Sequence, residues 1–163
     1  MTFPKAIVDA AQAVIDRATA QNLKIGTVES CTGGLIGGAL TAVSGSSSAV
    51  ERGFITYSNE AKNEIIGVPM ETIIEHGAVS DRTVRAMAEG ALNAAPLDAA
   101  VAVTGIAGPS GGTPEKPVGL VYMGASRKGR DTLVAREVFP GGRDAVREAA
   151  VLAALDLLLE QLD

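Results

Sequence analysis

Between Asp98 and Thr104 the chain reads Asp-Ala-Ala-Val-Ala-Val-Thr, with no polar face in its interior. A segment this short and this rich in β-branched residues is a strand. A strand that does not alternate polar with apolar has no side to turn toward water, so it must be covered on both faces. The flanking segments carry helical periodicity, so the cover is helical. Helices on both sides of a buried sheet give three layers.

The other elements follow from local signals. Ile7, Val8, Ala11, Val14, Ile15 and Ala18 recur at helical spacing over residues 4–20, and Pro4 suits a first turn. Lys24–Glu29 reads as a strand, Thr32–Val43 as a helix and 44–48 as a small-residue loop. Gly53–Tyr57 is the second strand, and Ser58 or Asn59 caps a helix running to about Ile66. Pro69 opens a shorter helix that ends near Gly77, and Ser80 caps another over 81–94. After the strand at 98–104 comes a Gly/Pro-rich loop, 105–117. The strands 118–126 and 132–139 are then joined tightly enough by Lys128-Gly129-Arg130-Asp131 to form an antiparallel hairpin. A helix over 144–160 closes the chain. The order αβαβαααβββα predicts an α/β fold: one domain over 1–163, a three-layer α/β/α sandwich with a mixed, mostly parallel five-stranded sheet.

Composition narrows the function classes. Aromatic residues are 3% and Trp is absent, so Ala, Val, Leu and Ile must build the core. The net charge is -5 with no basic run, which argues against a nucleic-acid partner. The single cysteine, Cys31, can form no intrachain disulfide, which is compatible with a reducing cytoplasm. The first residues lack the apolar core of a signal peptide, and Asp156 interrupts the apolar run 149–159, so no membrane partner is expected.

Four segments carry candidate chemistry. The run Glu29-Ser30-Cys31-Thr32-Gly33-Gly34 lies where a strand gives way to a helix, the place where ligands gather in open α/β sheets. There the N–H groups of Thr32, Gly33 and Gly34 would face a nucleophilic Ser30 as an oxyanion hole. A Ser that only caps the helix fits the same local pattern. Lys62, in Tyr57-Ser58-Asn59-Glu60-Ala61-Lys62, follows the next strand end and could meet Ser30 as a base if the two strands are neighbours. On the local sequence alone, a solvated lysine on an amphipathic helix is by far the commoner case. His76 is the only histidine and sits near a helix end, so a Ser-His-Asp triad has little material, and no metal-ligand cluster exists. Cys31 is an alternative nucleophile or a small buried neighbour of Ser30. The loop Gly105–Pro117 can cradle a ligand with its backbone. Arg143, in Gly141-Gly142-Arg143-Asp144, and the hydroxyls of Ser46, Ser47 and Ser48 are candidate phosphate contacts.

Taken in order, Glu29–Gly34, Gly45-Ser46-Ser47, Gly53–Lys62, His76–Ser80, Thr104–Pro109 and Lys116–Gly119 resemble the C-terminal domain of the competence/damage-inducible protein CinA along nearly the whole chain. Leu120 departs from the Thr that relatives often carry there. The resemblance implies a three-layer sandwich with a mixed five-stranded sheet. It also implies nicotinamide-nucleotide amidohydrolase activity, which turns nicotinamide mononucleotide and water into nicotinate mononucleotide and ammonia. Many relatives carry a further N-terminal domain similar to molybdopterin-binding proteins, which is not found in this sequence. The family is described as using a Ser/Lys pair, here Ser30 as nucleophile and Lys62 as base. For the mechanism expected here, Tyr57 is assigned to hold their geometry or relay a proton, Thr104 to orient the ring or amide, and Arg143 with Ser46 and Ser47 to bind the 5′-phosphate. No metal or cofactor is required, and a homo-oligomer, taken as a dimer, is expected. Two rival readings are a nucleotide-binding domain without turnover and a protein-interaction module of competence or damage responses.

Overall fold

The computed structural model describes residues 2–163. Its elements are α1 (Lys5–Ala20), β1 (Ile25–Glu29), α2 (Leu35–Thr41), a 3-10 turn (Ser46–Ser48), β2 (Val50–Ile55), α3 (Asn59–Ile66), α4 (Met70–His76), α5 (Asp81–Ala94), β3 (Ala99–Gly105), β4 (Leu120–Arg127), β5 (Arg130–Val138) and α6 (Arg143–Leu162). The expected order of helices and strands is present. Two caps are made as anticipated: Ser58 Oγ accepts from the Ala61 N–H, and Ser80 Oγ accepts from the Thr83 N–H. Each side chain relieves an orphan donor of the first helical turn.

The five strands stand in the order β2-β1-β3-β4-β5. Pairing of β1 with β2 and with β3 is parallel, while β3–β4 and β4–β5 are antiparallel. The pairings are thus evenly split. The sheet is mostly parallel only in the sense that β4 alone runs against the other four strands.

The central strand β3 behaves as its composition demands. Ala99, Val101 and Val103 point into one core with α1, α2 and α6, while Ala100 and Ala102 point into a second core with α5. The alternation follows from the two-residue period of a strand. Small side chains let the helices lie close: a Cβ placed at Gly124 of β4 would sit 3.1 Å from the Val84 carbonyl oxygen of α5. In the first core α6 contributes Leu155, Leu158 and Leu162, all fully buried. Each is worth about 1.5–3 kcal/mol of hydrophobic stabilisation. Burial by aliphatic residues on both faces accounts for a stable sheet without Trp.

The segment after β1 departs from expectation. The helix expected from Thr32 begins only at Leu35, because Gly33 and Gly34 take positive φ values of 57° and 101°. Such φ values are strained for residues with a Cβ, so the two glycines permit an extra turn between strand and helix.

Candidate active site

Strand polarity gathers the candidate residues. Strands β1, β2 and β3 are parallel and in register, so their carboxyl ends share one edge of the sheet. Glu29 pairs with Ile55 on one side and Val103 on the other. Ser30, Thr56–Tyr57 and Thr104 therefore emerge side by side. The Ser30 N–H extends the pairing to the Val103 carbonyl at 3.1 Å, and the Thr56 N–H does the same to the Glu29 carbonyl at 2.8 Å.

The chain after β2 turns straight into α3, and this brings Lys62 back over the strand ends. Lys62 is 1% exposed, which settles against a solvated lysine. Its Nζ lies 2.8 Å from the Thr56 carbonyl oxygen, 3.3 Å from the Tyr57 carbonyl oxygen and 3.3 Å from Ser30 Oγ. Carbonyls can only accept, whereas a hydroxyl can donate. An ammonium can give one N–H to each of the three oxygens, and once it loses a proton its two remaining N–H bonds can stay on the carbonyls while the lone pair turns to the Ser30 hydroxyl. Burial also holds the Lys62 pKa below its ordinary value. No carboxylate lies among its hydrogen-bond partners to hold the ammonium form.

Glu29, which sequence reasoning left without a role, proves central. Its buried carboxylate accepts from Thr32 Oγ1 at 2.7 Å, Thr27 Oγ1 at 3.3 Å, and the N–H groups of Gly34, Ile36 and Gly37 at 3.2, 2.9 and 2.9 Å. An anion thus already occupies the amino end of α2. This revises the expected oxyanion hole. The Gly34 N–H is taken by Glu29, and the Gly33 N–H donates to the Ser30 carbonyl at 3.0 Å. The Thr32 side chain is likewise turned to Glu29. Among the described residues the N–H groups of Cys31 and Thr32 have no main-chain partner. The useful clue was an acidic residue close before a helix start, read there only as part of a motif.

Arg147 of α6 is the second residue missed. Its Nε donates to the Cys31 carbonyl at 3.0 Å, tying the Ser30 turn to a helix 116 residues away. No local pattern announces such a contact. Cys31 itself is buried, and burial pushes its thiol up to about 11, so it stays protonated and is a poor nucleophile at neutral pH.

A cavity of about 330 Å³ opens in front of this pair. Ser30, Tyr57, Lys62, Thr104 and Arg143 all line it, with the loop Gly105–Gly111 as one wall. Its lining contains no carboxylate. Arg143 is exposed at the rim and donates to the Gly108 carbonyl at 2.9 Å, which anchors it beside the loop and leaves further N–H groups free. Tyr57 contributes its carbonyl to Lys62; among the described residues its exposed phenol makes no hydrogen bond to either member of the pair. Thr104 is buried, and its hydroxyl donates to the Ala78 carbonyl at 2.8 Å.

Ser46 and Ser47 do not join the site. Their turn precedes β2, whose start pairs with the start of β1 (Ile25 with Val50), so they lie at the opposite end of the strands. They line a different hollow with Thr27, Thr41 and Arg52. Five residues of extended chain separate the two ends by about 16 Å. His76 ends α4, outside the lining of the Ser30 cavity, and its carbonyl accepts from Lys116 Nζ. A larger hollow of about 650 Å³ lies between α5 and the β4–β5 turn, but its lining offers no nucleophile beside a buried base.

Comparison with known proteins places this geometry. Residues 8–162 match the CinA C-terminal domain. The chain is 50% identical over 142 residues to the nicotinamide-nucleotide amidohydrolase PncC of Escherichia coli K12, covering 87% of this chain and 86% of that one. It is 49% identical over 152 residues to a putative competence-damage inducible protein of Caldicellulosiruptor bescii, covering 93% of this chain but 36% of that longer protein. The crystal structure of the competence/damage inducible protein CihA from Agrobacterium tumefaciens superposes with a TM-score of 0.96 at 46% identity, covering 98% of both chains. With a match over nearly its whole length and a shared fold, the chain belongs to the CinA C-terminal domain family.

Proposed function

We propose that this chain hydrolyses the carboxamide of nicotinamide mononucleotide, giving nicotinate mononucleotide and ammonia, and that it does so through Ser30 and Lys62. The observation that carries the mechanism is the buried Lys62 Nζ, 3.3 Å from Ser30 Oγ and held there by two carbonyl oxygens that can only accept. The substrate rests on the half-identity to PncC over most of both chains.

Lys62 takes the Ser30 proton as Oγ bonds to the carboxamide carbon. The N–H groups of Cys31 and Thr32 face the oxyanion, in place of those of Gly33 and Gly34. The C–N bond then breaks, and Lys62 returns the proton to the departing nitrogen, releasing ammonia. Water attacks the acyl ester with Lys62 again as base, and the acid leaves as Ser30 regains its proton. Arg143 at the rim binds the 5′-phosphate. Tyr57 acts through its main chain, setting Lys62 on Ser30, rather than by relaying protons. The chain works as one domain in a cytoplasmic homo-oligomer.

Ammonia release from nicotinamide mononucleotide, set against nicotinamide, nicotinamide riboside and glutamine, tests the substrate. Ser30→Ala and Lys62→Ala should each lose about 10⁴-fold or more in kcat with an unchanged circular dichroism spectrum. Full turnover in Ser30→Ala would end the serine mechanism.

A further inference from the structure

Thr104 sits in a position from which it reads one particular chemical group. In the β1–β3 register Glu29 faces Val103, so Thr104 is the next neighbour of Ser30 across the strand pair. Both side chains fall on the α5 face of the sheet, since Val28, Ala100 and Ala102 point there. Thr104 is 1% exposed and, like Ser30, lines the cavity.

Its hydroxyl has one proton, and that proton is committed. Oγ1 lies 2.8 Å from the Ala78 carbonyl oxygen, which can only accept, so Thr104 must donate there. Toward the cavity Thr104 has only lone pairs to offer. At Thr104 the cavity wall is therefore an acceptor, and the lining holds no carboxylate.

From this we infer that Thr104 is a specificity-determining residue: as an obligate acceptor it takes a hydrogen bond from the N–H₂ of the substrate carboxamide and disfavours the carboxylate of the product. The inference rests on the reading that the substrate is the carboxamide nucleotide. A carboxamide presents two N–H donors. The carboxylate that replaces it presents only oxygen lone pairs and a negative charge, so at Thr104 it meets like with like. A site whose buried polar group is left unpaired by the wrong ligand discriminates strongly. The same contact turns the amide so that its nitrogen, not its oxygen, lies on the Thr104 side, leaving the oxygen for the N–H groups of Cys31 and Thr32. After ammonia has left, the acid formed is expelled by the residue that had held the amide.

The test compares two ligands that share ring, ribose and phosphate and differ only in this group. Calorimetric dissociation constants for nicotinamide mononucleotide and nicotinate mononucleotide are measured in Ser30→Ala, where no turnover interferes, and again after adding Thr104→Val or Thr104→Ser. Ser30→Ala should bind the amide at least about tenfold more tightly than the acid. Thr104→Val should cut that preference to about threefold or less, chiefly by strengthening acid binding, and Thr104→Ser should keep it. A side chain that merely supported the fold would weaken both ligands alike. Equal affinities in Ser30→Ala, absent amide binding, or a preference that survives Thr104→Val overturns the inference. Should Thr104→Val fail to fold, the ratio in Ser30→Ala still decides. Ammonia release by the wild-type enzyme judges the parent reading separately, since it does not depend on which residue discriminates.

Discussion

Removing the Glu29 carboxylate should destabilise this fold more than its size suggests. Five donors converge on it: two Thr hydroxyls and the N–H groups of Gly34, Ile36 and Gly37. In Glu29→Ala the hydroxyls of Thr27 and Thr32 can rotate to other acceptors, but the three main-chain N–H groups cannot move without unwinding the first turn of α2. A buried unpaired N–H costs about 1–3 kcal/mol. Ile36 is fully buried and bears the whole penalty, while Gly34 and Gly37 are partly buried, so water relieves part of theirs. Adding the lost anion at a helix amino end, about 0.3–1 kcal/mol, the sum is about 3–5 kcal/mol, a large share of the roughly 5–15 kcal/mol that holds a domain folded. Glu29→Gln should cost less. Its oxygen can keep the three donors now on Oε1, while its N–H₂ opposes the Gly37 N–H, for about 1–2 kcal/mol. Urea unfolding followed by circular dichroism gives both values. With a slope of about 2 kcal/mol per molar, Glu29→Ala should move the midpoint down by about 2 M. A shift under about 0.5 M, or equal shifts for Gln and Ala, would refute the reasoning.

Four further outcomes follow from the site. Lys62 has a folded pKa below its ordinary 10.5, so between the two values the unfolded chain binds more protons and stability rises with pH. Lys62→Met should abolish that rise along with activity; urea midpoints across alkaline pH that climb equally in both proteins would contradict it. The wild-type rate should likewise increase with pH as Lys62 loses its proton. Cys31→Ala should retain turnover and lose about 1 kcal/mol of stability, because the thiol is a buried neutral wall; loss of ammonia release with the fold intact would return the thiol to the mechanism. Arg143→Ala should lower kcat/KM for nicotinamide mononucleotide about tenfold, the worth of one charge-assisted contact, and that for the phosphate-free riboside much less. An equal loss on both would remove Arg143 from phosphate binding.

Much of the architecture was legible because it is decided within a few residues. Caps at Ser58 and Ser80, the helical spacing of α1 and α5, and a β3 with no polar face are local facts, and three layers follow from the last of them. The Glu29–Gly34 motif pointed to the edge of the cavity for a similar reason: a strand end followed by glycines is a place where a ligand can approach backbone. Reading the glycines as the start of a helix failed, because their positive φ values insert a turn and the donors beyond it serve Glu29 rather than a ligand.

Tertiary structure decided everything that depends on which strands lie side by side and which way they run. Lys62 is 32 residues from Ser30 along the chain, and only the parallel β1–β2 pairing turns a surface-looking lysine into a buried neighbour of Ser30. The same pairing sends Ser46 and Ser47 to the far end of the sheet, where no local motif would have put them. Thr104 acquires its meaning from Ala78, a carbonyl supplied by the segment between α4 and α5. Arg147 reaches the Ser30 turn from the last helix. Propensity and capping are short-range and can be read in order. Desolvation of an amine and the committed direction of a hydroxyl proton are set by neighbours distant in sequence, and they exist only once the chain has folded.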